Sequence, residues 1–323
     1  MKKIILCFVL PCYNEEKCLK RTYHDLIDKY GELLRNGLID KKSRIVFVDD
    51  GSKDRTWEVI SELANDDSRV LGVKLARNVG HQNALLAGLL YAGDFADAII
   101  SMDADLQDNI SVVDGFIDKY VDGYEIVYGV RGDRKTDTRF KRITAQSFYK
   151  IMKMLGVDLV YNSADCRLMS KRAVKQLENY TEVNLFLRGV VPLIGLNSTT
   201  VSYQRDKRVA GESKYPLKKM LGFAWDGITS FSVKPIRMML SLGAIVFILS
   251  LIVMIYAIIM WSIGQTVSGW TFTICSIWLV AGIQMISLGL IGEYIGKIYG
   301  ETKRRPRYFI EQVTKSRRKE KDE

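Results

Sequence analysis

The chain has 323 residues, and 47 Lys and Arg against 37 Asp and Glu give it a formal net charge of +10 at pH 7. A balance this basic favours a phosphate-rich partner, which is anionic lipid, nucleotide or nucleic acid. The five cysteines form no Cys-X-X-Cys pair and there are two histidines, which excludes a disulfide framework, a zinc site and a multi-His metal site. Because no recognised nucleic-acid-binding module is present, we expect no nucleic-acid partner.

Before residue 200, short apolar runs alternate with longer amphipathic stretches. This alternation predicts an α/β domain built on a doubly wound, mostly parallel sheet. The predicted strands are 4–10, 44–49, 70–76, 98–102 and 125–130. The predicted helices are 15–35, 54–65, 81–92 and 110–121. Ligands of such sheets bind at the carboxyl ends of the strands, which is where we expect the functional site.

Two turn motifs follow the first two predicted strands. Leu10–Glu16 opens the first helix, which Asn14 could cap. Val48–Thr56 holds two adjacent acids, Asp49 and Asp50, followed by a glycine that frees the backbone of the turn. Such a pair of acids could hydrogen-bond a ribose and a base edge.

The tripeptide Asp103-Ala104-Asp105 ends the apolar run 98–102. Two carboxylates one residue apart, just past a buried strand, suit a hard divalent cation such as Mg²⁺ or Mn²⁺, which commonly shares its ligands with a substrate's phosphates. The alternative is a strand end with solvated acids. The acidic turn Val48–Ser52 favours the metal site, because both clusters are expected at the same edge of the sheet.

Between Arg237 and Glu293 there is no charged residue, which is enough chain for two bilayer crossings of about 20 residues each. Transmembrane helices are predicted near 238–262 and 270–292, joined by a short polar turn at 264–269. Basic residues flank the pair on both outer sides and the turn has none, so the positive-inside rule places both termini in the cytoplasm. The alternative, two buried helices of a soluble core, is disfavoured because so long a charge-free run is rare in soluble domains.

Four segments are therefore predicted: a globular domain (1–211), an amphipathic juxtamembrane segment (212–236), two transmembrane helices (237–293) and a basic cytoplasmic tail (294–323). The juxtamembrane segment mixes basic and aromatic side chains, which is typical of an interfacial helix. An ordinary amphipathic helix packed on the domain is the alternative. Small-residue faces for helix association come from Gly282, Gly289, Gly292 and Gly296.

Four motifs occur in an order and spacing that point to one family: Leu10–Glu16, Val48–Thr56, Arg77–Gln82 and Asp103–Asp108. With them the chain resembles the family 2 glycosyltransferases of GT-A fold, and more narrowly the polyprenyl-phosphate glycosyltransferases. These include dolichyl-phosphate mannose synthase and the bacterial undecaprenyl-phosphate sugar transferases. The bacterial branch carries two C-terminal transmembrane helices, as predicted here. The resemblance makes residues 1–211 a GT-A catalytic domain.

The resemblance also implies a donor site at the strand ends. The residues that would bind the nucleotide sugar are Pro11, Tyr13, Glu15, Asp50 and Asp103. The family's Asp-X-Asp-X-Gln motif matches Asp103, Asp105 and Gln107, which would hold Mg²⁺ or Mn²⁺ against the donor diphosphate. Asn109-Ile110 stands where relatives often carry Pro-Pro, and this departure leaves the metal ligands intact.

On the acceptor side, the resemblance places Asp165 beside the reacting centre as the candidate base. A phosphomonoester acceptor has a second pKa of about 6 and needs little deprotonation at neutral pH. Asp165 could instead position the acceptor, steady positive charge on the sugar, or pair with Arg167. The basic residues expected at the diphosphate or the acceptor phosphate are Arg131, Arg134, Arg188, Arg208 and Lys214.

The expected reaction is the inverting transfer of glucose from UDP-glucose to undecaprenyl phosphate at the cytoplasmic face of the cell membrane. The alternatives are another donor, such as UDP-N-acetylglucosamine, GDP-mannose or UDP-aminoarabinose, or a non-catalytic subunit of lipid-linked sugar export. A processive polysaccharide synthase is disfavoured, because the chain lacks a Gln-X-X-Arg-Trp element and further transmembrane helices. Relatives can form tetramers, so we also expect a homo-oligomer.

Overall fold

The computed structural model describes residues 3–106, 109–132, 150, 152–154, 160–183, 185–204, 228–229, 232–264 and 269–314. The chain divides into two compact units. The sheet unit comprises Met1–Tyr149, Asp158–Tyr215 and Arg305–Glu323, and the hairpin unit comprises Lys150–Val157 and Pro216–Arg304. Most of the predicted juxtamembrane segment 212–236 lies outside the described residues.

The described residues of the sheet unit form eight strands and six helices. The strands are β1 (Leu6–Cys12), β2 (Arg44–Asp49), β3 (Val70–Leu75), β4 (Ala98–Ser101), β5 (Ile126–Arg131), β6 (Ser163–Ser170), β7 (Ser198–Tyr203) and β8 (Ile310–Val313). The helices are α1 (Leu19–Arg35), α2 (Thr56–Asp66), α3 (His81–Gly93), α4 (Val112–Val121), α5 (Lys171–Leu177) and α6 (Leu187–Leu193). The five strands and four helices predicted before residue 131 are all present.

These strands form one mixed sheet in the order β7-β5-β6-β4-β1-β2-β3-β8. The central strands β4, β1, β2 and β3 are parallel, which confirms the predicted α/β fold with a mostly parallel core. Strand β6 runs antiparallel to β4 and β5. Its first residues, rather than its last, therefore lie at the edge of the sheet where the parallel strands end.

Helix α3 packs very closely on the centre of the sheet. A Cβ atom added to Gly88 would lie 2.5 Å from Val9 Cγ1 and 2.6 Å from Val48 Cγ2, so only glycine permits this approach. The two valines belong to β1 and β2, which are buried because their apolar runs are covered on both faces. This packing fixes α3, whose first residue lies at the carboxyl edge of the sheet.

Strand β8 comes from the C-terminal part of the chain and pairs antiparallel with β3. The pairing continues past the strand, because the Gly72 N–H donates to Thr314 Oγ1 (2.8 Å) and the Thr314 N–H donates to the Gly72 carbonyl (2.9 Å). The predicted tail 294–323 is thus not one segment: a helix continues to Thr302, and Ile310–Val313 joins the sheet. Four residues on an exposed edge carry too little apolar pattern to be recognised from the sequence.

The hairpin unit contains two long helices, α7 (Lys234–Ser262) and α8 (Trp270–Thr302). At 29 and 33 residues they are about 44 and 50 Å long at 1.5 Å per residue, against a hydrocarbon core of about 30 Å. Within the part of the chain that the structure describes, these two helices are long and apolar enough to cross a membrane. The Tyr294 hydroxyl donates to the Ser232 carbonyl (2.5 Å), which ties α8 to the segment that enters α7.

Candidate active site

The two turns that follow β1 and β2 are joined by hydrogen bonds. The Asn14 N–H donates to Ser52 Oγ (3.0 Å), and the Lys53 N–H donates to Asn14 Oδ1 (2.9 Å). The Glu15 N–H donates to Thr56 Oγ1 (2.8 Å). The expectation that Asn14 caps the first helix is wrong, because α1 begins only at Leu19 and the Asn14 side chain bonds the neighbouring turn instead. The two motifs form one surface.

The residues predicted to bind the nucleotide sugar line this surface in different ways. Tyr13 is 41% exposed, whereas Pro11 is buried as part of β1. Asp50 is only 3% exposed, and its two oxygens accept the N–H groups of Val79 (2.7 Å) and Gly80 (3.0 Å). Burial raises the pKa of Asp50, and the two N–H groups lower it by less, so the pKa stays above its ordinary value. Asp50 therefore anchors the turn before α3.

Asp49, the neighbour of Asp50, was not among the predicted site residues. Its side chain is fully buried, and Oδ1 accepts the Ser52 N–H (3.2 Å). Its Oδ2 atom has no hydrogen-bond partner among the described residues, and burial raises the pKa of this carboxyl. Because Asp49 is closed to solvent, it holds the turn through Ser52 rather than facing a ligand.

The turn that carries Asp103 and Asp105 is held by helix α1. The Ala104 carbonyl accepts the Thr22 hydroxyl (2.6 Å) and the Cys18 thiol (3.6 Å). Leu106 follows with a φ of 44°, a left-handed conformation that is costly for a branched side chain and is therefore found where the surroundings hold it. The hydrogen bonds to Ala104 therefore hold the backbone between Asp103 and Asp105.

These carboxylates fit Mg²⁺ or Mn²⁺. Hard oxygen atoms are what both ions take, and Mg²⁺ is usually held by one or two carboxylates together with substrate phosphates. In the described ranges no group of three or more His, Cys, Asp or Glu side chains could hold a metal, so the fit depends on substrate oxygens as further ligands. Gln107, the third predicted ligand, lies outside the described residues.

Asp165 lies in a cluster with two arginines. Arg188 donates from Nε to Oδ1 (2.9 Å) and from Nη2 to Oδ2 (2.9 Å), and Arg167 donates from Nη2 to Oδ1 (3.1 Å). Burial alone would raise the pKa of Asp165, but the charges of Arg188 and Arg167 outweigh burial and hold that pKa well below its usual range. A carboxylate with so low a pKa is a weak base. The geometry therefore favours the ion-pair alternative for Asp165.

The other predicted phosphate-binding residues are only partly described. Arg131 ends β5 at the edge where β6 begins, and its backbone N–H donates to the Asn162 carbonyl (3.2 Å). Arg188 is 31% exposed beside Asp165. The predicted residues outside the described ranges are Arg134, Arg208 and Lys214.

His81, the first residue of α3, was not among the predicted site residues. Its Nε2 atom lies 3.8 Å from Asp103 Oδ1 and 3.8 Å from Asp165 Oδ2. The residue after it, Gln82, accepts the Leu187 N–H at Oε1 (3.0 Å). The signal in the sequence was the motif Arg77–Gln82, to which the sequence analysis gave no chemical role. The structure brings this motif next to Asp103, Asp165 and the start of α6.

Comparison with known proteins identifies the family. Residues 7–178 match the family described as "Glycosyl transferase family 2", and residues 234–298 match "GtrB C-terminal hairpin". The chain belongs to glycosyl transferase family 2, and it is a glycosyltransferase of GT-A fold with a GtrB-type C-terminal hairpin. The family and the fold predicted from the four motifs are thereby confirmed.

Similar proteins match along nearly the whole chain. An uncharacterized glycosyltransferase, YkoT of Bacillus subtilis, is 53% identical over 98% of this chain and 96% of its own length. A prophage bactoprenol glucosyl transferase homolog of Escherichia coli is 38% identical over 96% of this chain and 99% of its own length. The bactoprenol glucosyl transferase of Shigella phage SfX is 38% identical over 94% of this chain and 98% of its own length.

Proposed function

We propose that the protein transfers glucose from UDP-glucose to a polyprenyl phosphate, undecaprenyl phosphate, at the cytoplasmic face of the membrane, with inversion at the anomeric carbon. The observation that carries the proposal is the full-length similarity to proteins named bactoprenol glucosyl transferase, which includes the C-terminal hairpin. The geometry at the sheet edge supports it, because Asp103 and the ion pair of Asp165 with Arg188 both lie next to His81.

On the donor side, the exposed ring of Tyr13 would stack on the base, and the turns held by Asn14 and Asp50 would shape the pocket. Asp103 and Asp105 would hold the metal ion. A bound Mg²⁺ or Mn²⁺ would neutralise charge that builds on the leaving diphosphate. The fixed Ala104 carbonyl matters here, since the two carboxylates then need no reorganisation when the donor binds.

On the acceptor side, Arg188 would contact the lipid phosphate and Asp165 would hold the guanidinium in place. The attacking oxygen needs no base, because a phosphomonoester with a second pKa of about 6 is mostly dianionic at neutral pH. Asp165 is thus proposed as a positioning residue rather than the base. Further cationic contacts to the diphosphate or lipid phosphate are proposed for Arg131, Arg134, Arg208 and Lys214, as such groups stabilise charge on a leaving group.

The proposed topology has two membrane crossings, with the sheet unit and both termini in the cytoplasm. Its support is the chain path, which leaves the sheet unit before α7 and returns to it as β8 after α8. This path fits an even number of crossings, and the basic residues on both outer flanks favour the cytoplasmic side. A homo-oligomer is proposed through glycine faces of α8.

The test is product formation by the purified full-length chain in detergent. A panel of UDP- and GDP-sugars is offered with undecaprenyl phosphate, with and without EDTA. We expect one lipid-linked glucose product that EDTA abolishes. A product formed only from UDP-N-acetylglucosamine, GDP-mannose or UDP-aminoarabinose would show that the proposed donor is wrong and that the proposed reaction class is right. No product with any donor, from protein that is folded by thermal unfolding, would refute the proposal.

A further inference from the structure

The side chains of the turn Asn78–Gln82, directly before and at the start of α3, have no role in the reaction as described so far. The turn is nevertheless hydrogen-bonded to two other segments of the site. Its backbone N–H groups at Val79 and Gly80 donate to Asp50 at the end of β2. Gln82 accepts the Leu187 N–H at the start of α6, next to Arg188. The turn therefore joins the donor side to the acceptor side.

His81 projects from this turn toward two acids. Its Nε2 atom lies 3.8 Å from an oxygen of Asp103 and 3.8 Å from an oxygen of Asp165. Both 3.8 Å distances exceed the length of a hydrogen bond, so neither carboxylate bonds Nε2. The imidazole is 42% exposed. A polar ring atom is thus presented to the site between two carboxylates without a hydrogen bond to either.

The Nε2 atom of His81 lies beside the place that the transferred sugar would occupy, and this step rests on the proposed function. The donor diphosphate lies at Asp103, and the acceptor phosphate lies at the arginine held by Asp165. For an in-line displacement the anomeric carbon lies between the leaving and the attacking oxygen. Because Nε2 lies 3.8 Å from one oxygen of each carboxylate, these two oxygens are no more than twice 3.8 Å apart. A sugar held from the diphosphate at Asp103 to the phosphate at Arg188 would therefore pass close to His81 Nε2.

We propose that His81 is a catalytic residue that hydrogen-bonds, through Nε2, one hydroxyl group of the transferred hexose. It thereby orients the sugar between the leaving diphosphate and the attacking lipid phosphate. Its effect is specific to the sugar part of the donor: His81 contributes to binding of UDP-glucose and not to binding of UDP.

The first test measures binding by titration calorimetry, with full-length protein in detergent, Mn²⁺ present and no acceptor. UDP and UDP-glucose are titrated into the wild type, His81→Ala, His81→Gln and the control His24→Ala, which changes the exposed histidine of α1. For His81→Ala we expect UDP affinity within twofold of the wild type and UDP-glucose affinity about five- to tenfold weaker, the range for one hydrogen bond. His81→Gln keeps a polar group and should lose less, and His24→Ala should change neither.

A second measurement identifies the hydroxyl group. UDP-glucose analogues that lack the 2-, 3-, 4- or 6-hydroxyl are titrated into the wild type and His81→Ala. One deletion should weaken binding to the wild type and have no further effect on His81→Ala, which is the signature of a direct contact in a double-mutant cycle.

Equal losses of UDP and UDP-glucose affinity in His81→Ala would overturn the inference, because His81 would then support the turn or the metal. Unchanged affinity for both UDP and UDP-glucose would overturn it as well. Failure of the wild type to bind any nucleotide sugar would refute the proposed donor and this inference together. Binding of UDP-glucose with no transfer to undecaprenyl phosphate would count against the acceptor alone and leave the inference standing.

Discussion

The substitution Asp165→Asn tests whether this residue is a base or the anchor of Arg188. The aspartate accepts three hydrogen bonds from two guanidinium groups, and an asparagine keeps only one oxygen for them. Its amide would also place a donor against a donor, and the positive charges of Arg167 and Arg188 would lose their counter-charge. Breaking a buried ion pair on one side costs about 3–5 kcal/mol. Because Arg188 is 31% exposed and can regain water, we expect the lower end of this range, about 3 kcal/mol.

The assay combines thermal unfolding with transfer kinetics. At about 2–4 °C per kcal/mol for a domain of 150–250 residues, the unfolding midpoint should fall by about 6–12 °C. The KM for the acceptor should rise while the KM for the donor stays constant, because a loosened Arg188 binds phosphate less well. Lys119→Ala is the control, since it breaks an exposed ion pair with Asp122 (2.9 Å) and should leave the midpoint unchanged.

The pH dependence gives the result that would refute this reasoning. The pKa of Asp165 is lowered in the fold, so the ion pair stabilises the protein above the unfolded carboxyl's pKa of about 3.9 and is lost as the pH falls below that value. The rate of transfer should therefore fall only once as the pH is lowered. This fall is expected at about pH 6, where the acceptor phosphate takes up its second proton. An acid limb that disappears in Asp165→Asn, in a variant as stable as the wild type, would show that Asp165 is the base.

Three further substitutions test other parts of the site and the fold. Asp103→Ala should abolish metal-dependent transfer with the unfolding midpoint retained, measured by lipid-linked product and calorimetry, because it removes a proposed metal ligand. Arg208→Ala should reduce kcat/KM far more than Lys219→Ala, which changes a basic residue of the predicted juxtamembrane segment, because only Arg208 is proposed to touch a reacting phosphate. Gly88→Ala should destabilise the sheet unit by about 1–3 kcal/mol in denaturant unfolding, because its Cβ would lie 2.5 Å from Val9.

Each of these has a control and a contrary outcome. Asp118→Ala removes an exposed acid of α4 and should keep full transfer, and near-normal turnover of Asp103→Ala would reject the metal site. Equal losses in the two basic variants would indicate a general charge effect at the membrane. Gly243→Ala meets no atom within 4 Å and should not destabilise, so an equally harmless Gly88→Ala would reject the close packing of α3.

Local pattern was sufficient for much of this protein. The apolar runs at 4–10 and 98–102 had to be buried strands, because nothing else hides such short stretches, and they became β1 and β4. The charge-free run after Arg237 had to be two long helices for the same kind of reason. The family was readable because its motifs lie at strand ends, where the chemistry demands particular residue types. Each run and each motif is a continuous stretch of the chain that can be read without knowing its three-dimensional contacts.

Tertiary structure decided the features that depend on residues distant in the chain. The ion pair between Asp165 and Arg188 forms only because β6 runs antiparallel and begins at the site edge. The position of His81 depended on the glycine that lets α3 approach β1. Strand β8 forms because the edge strand β3 offers it unpaired backbone N–H and C=O groups. The four residues of β8 do not themselves have the apolar pattern of a strand. Such contacts are set by packing and pairing partners, which no local stretch of sequence contains.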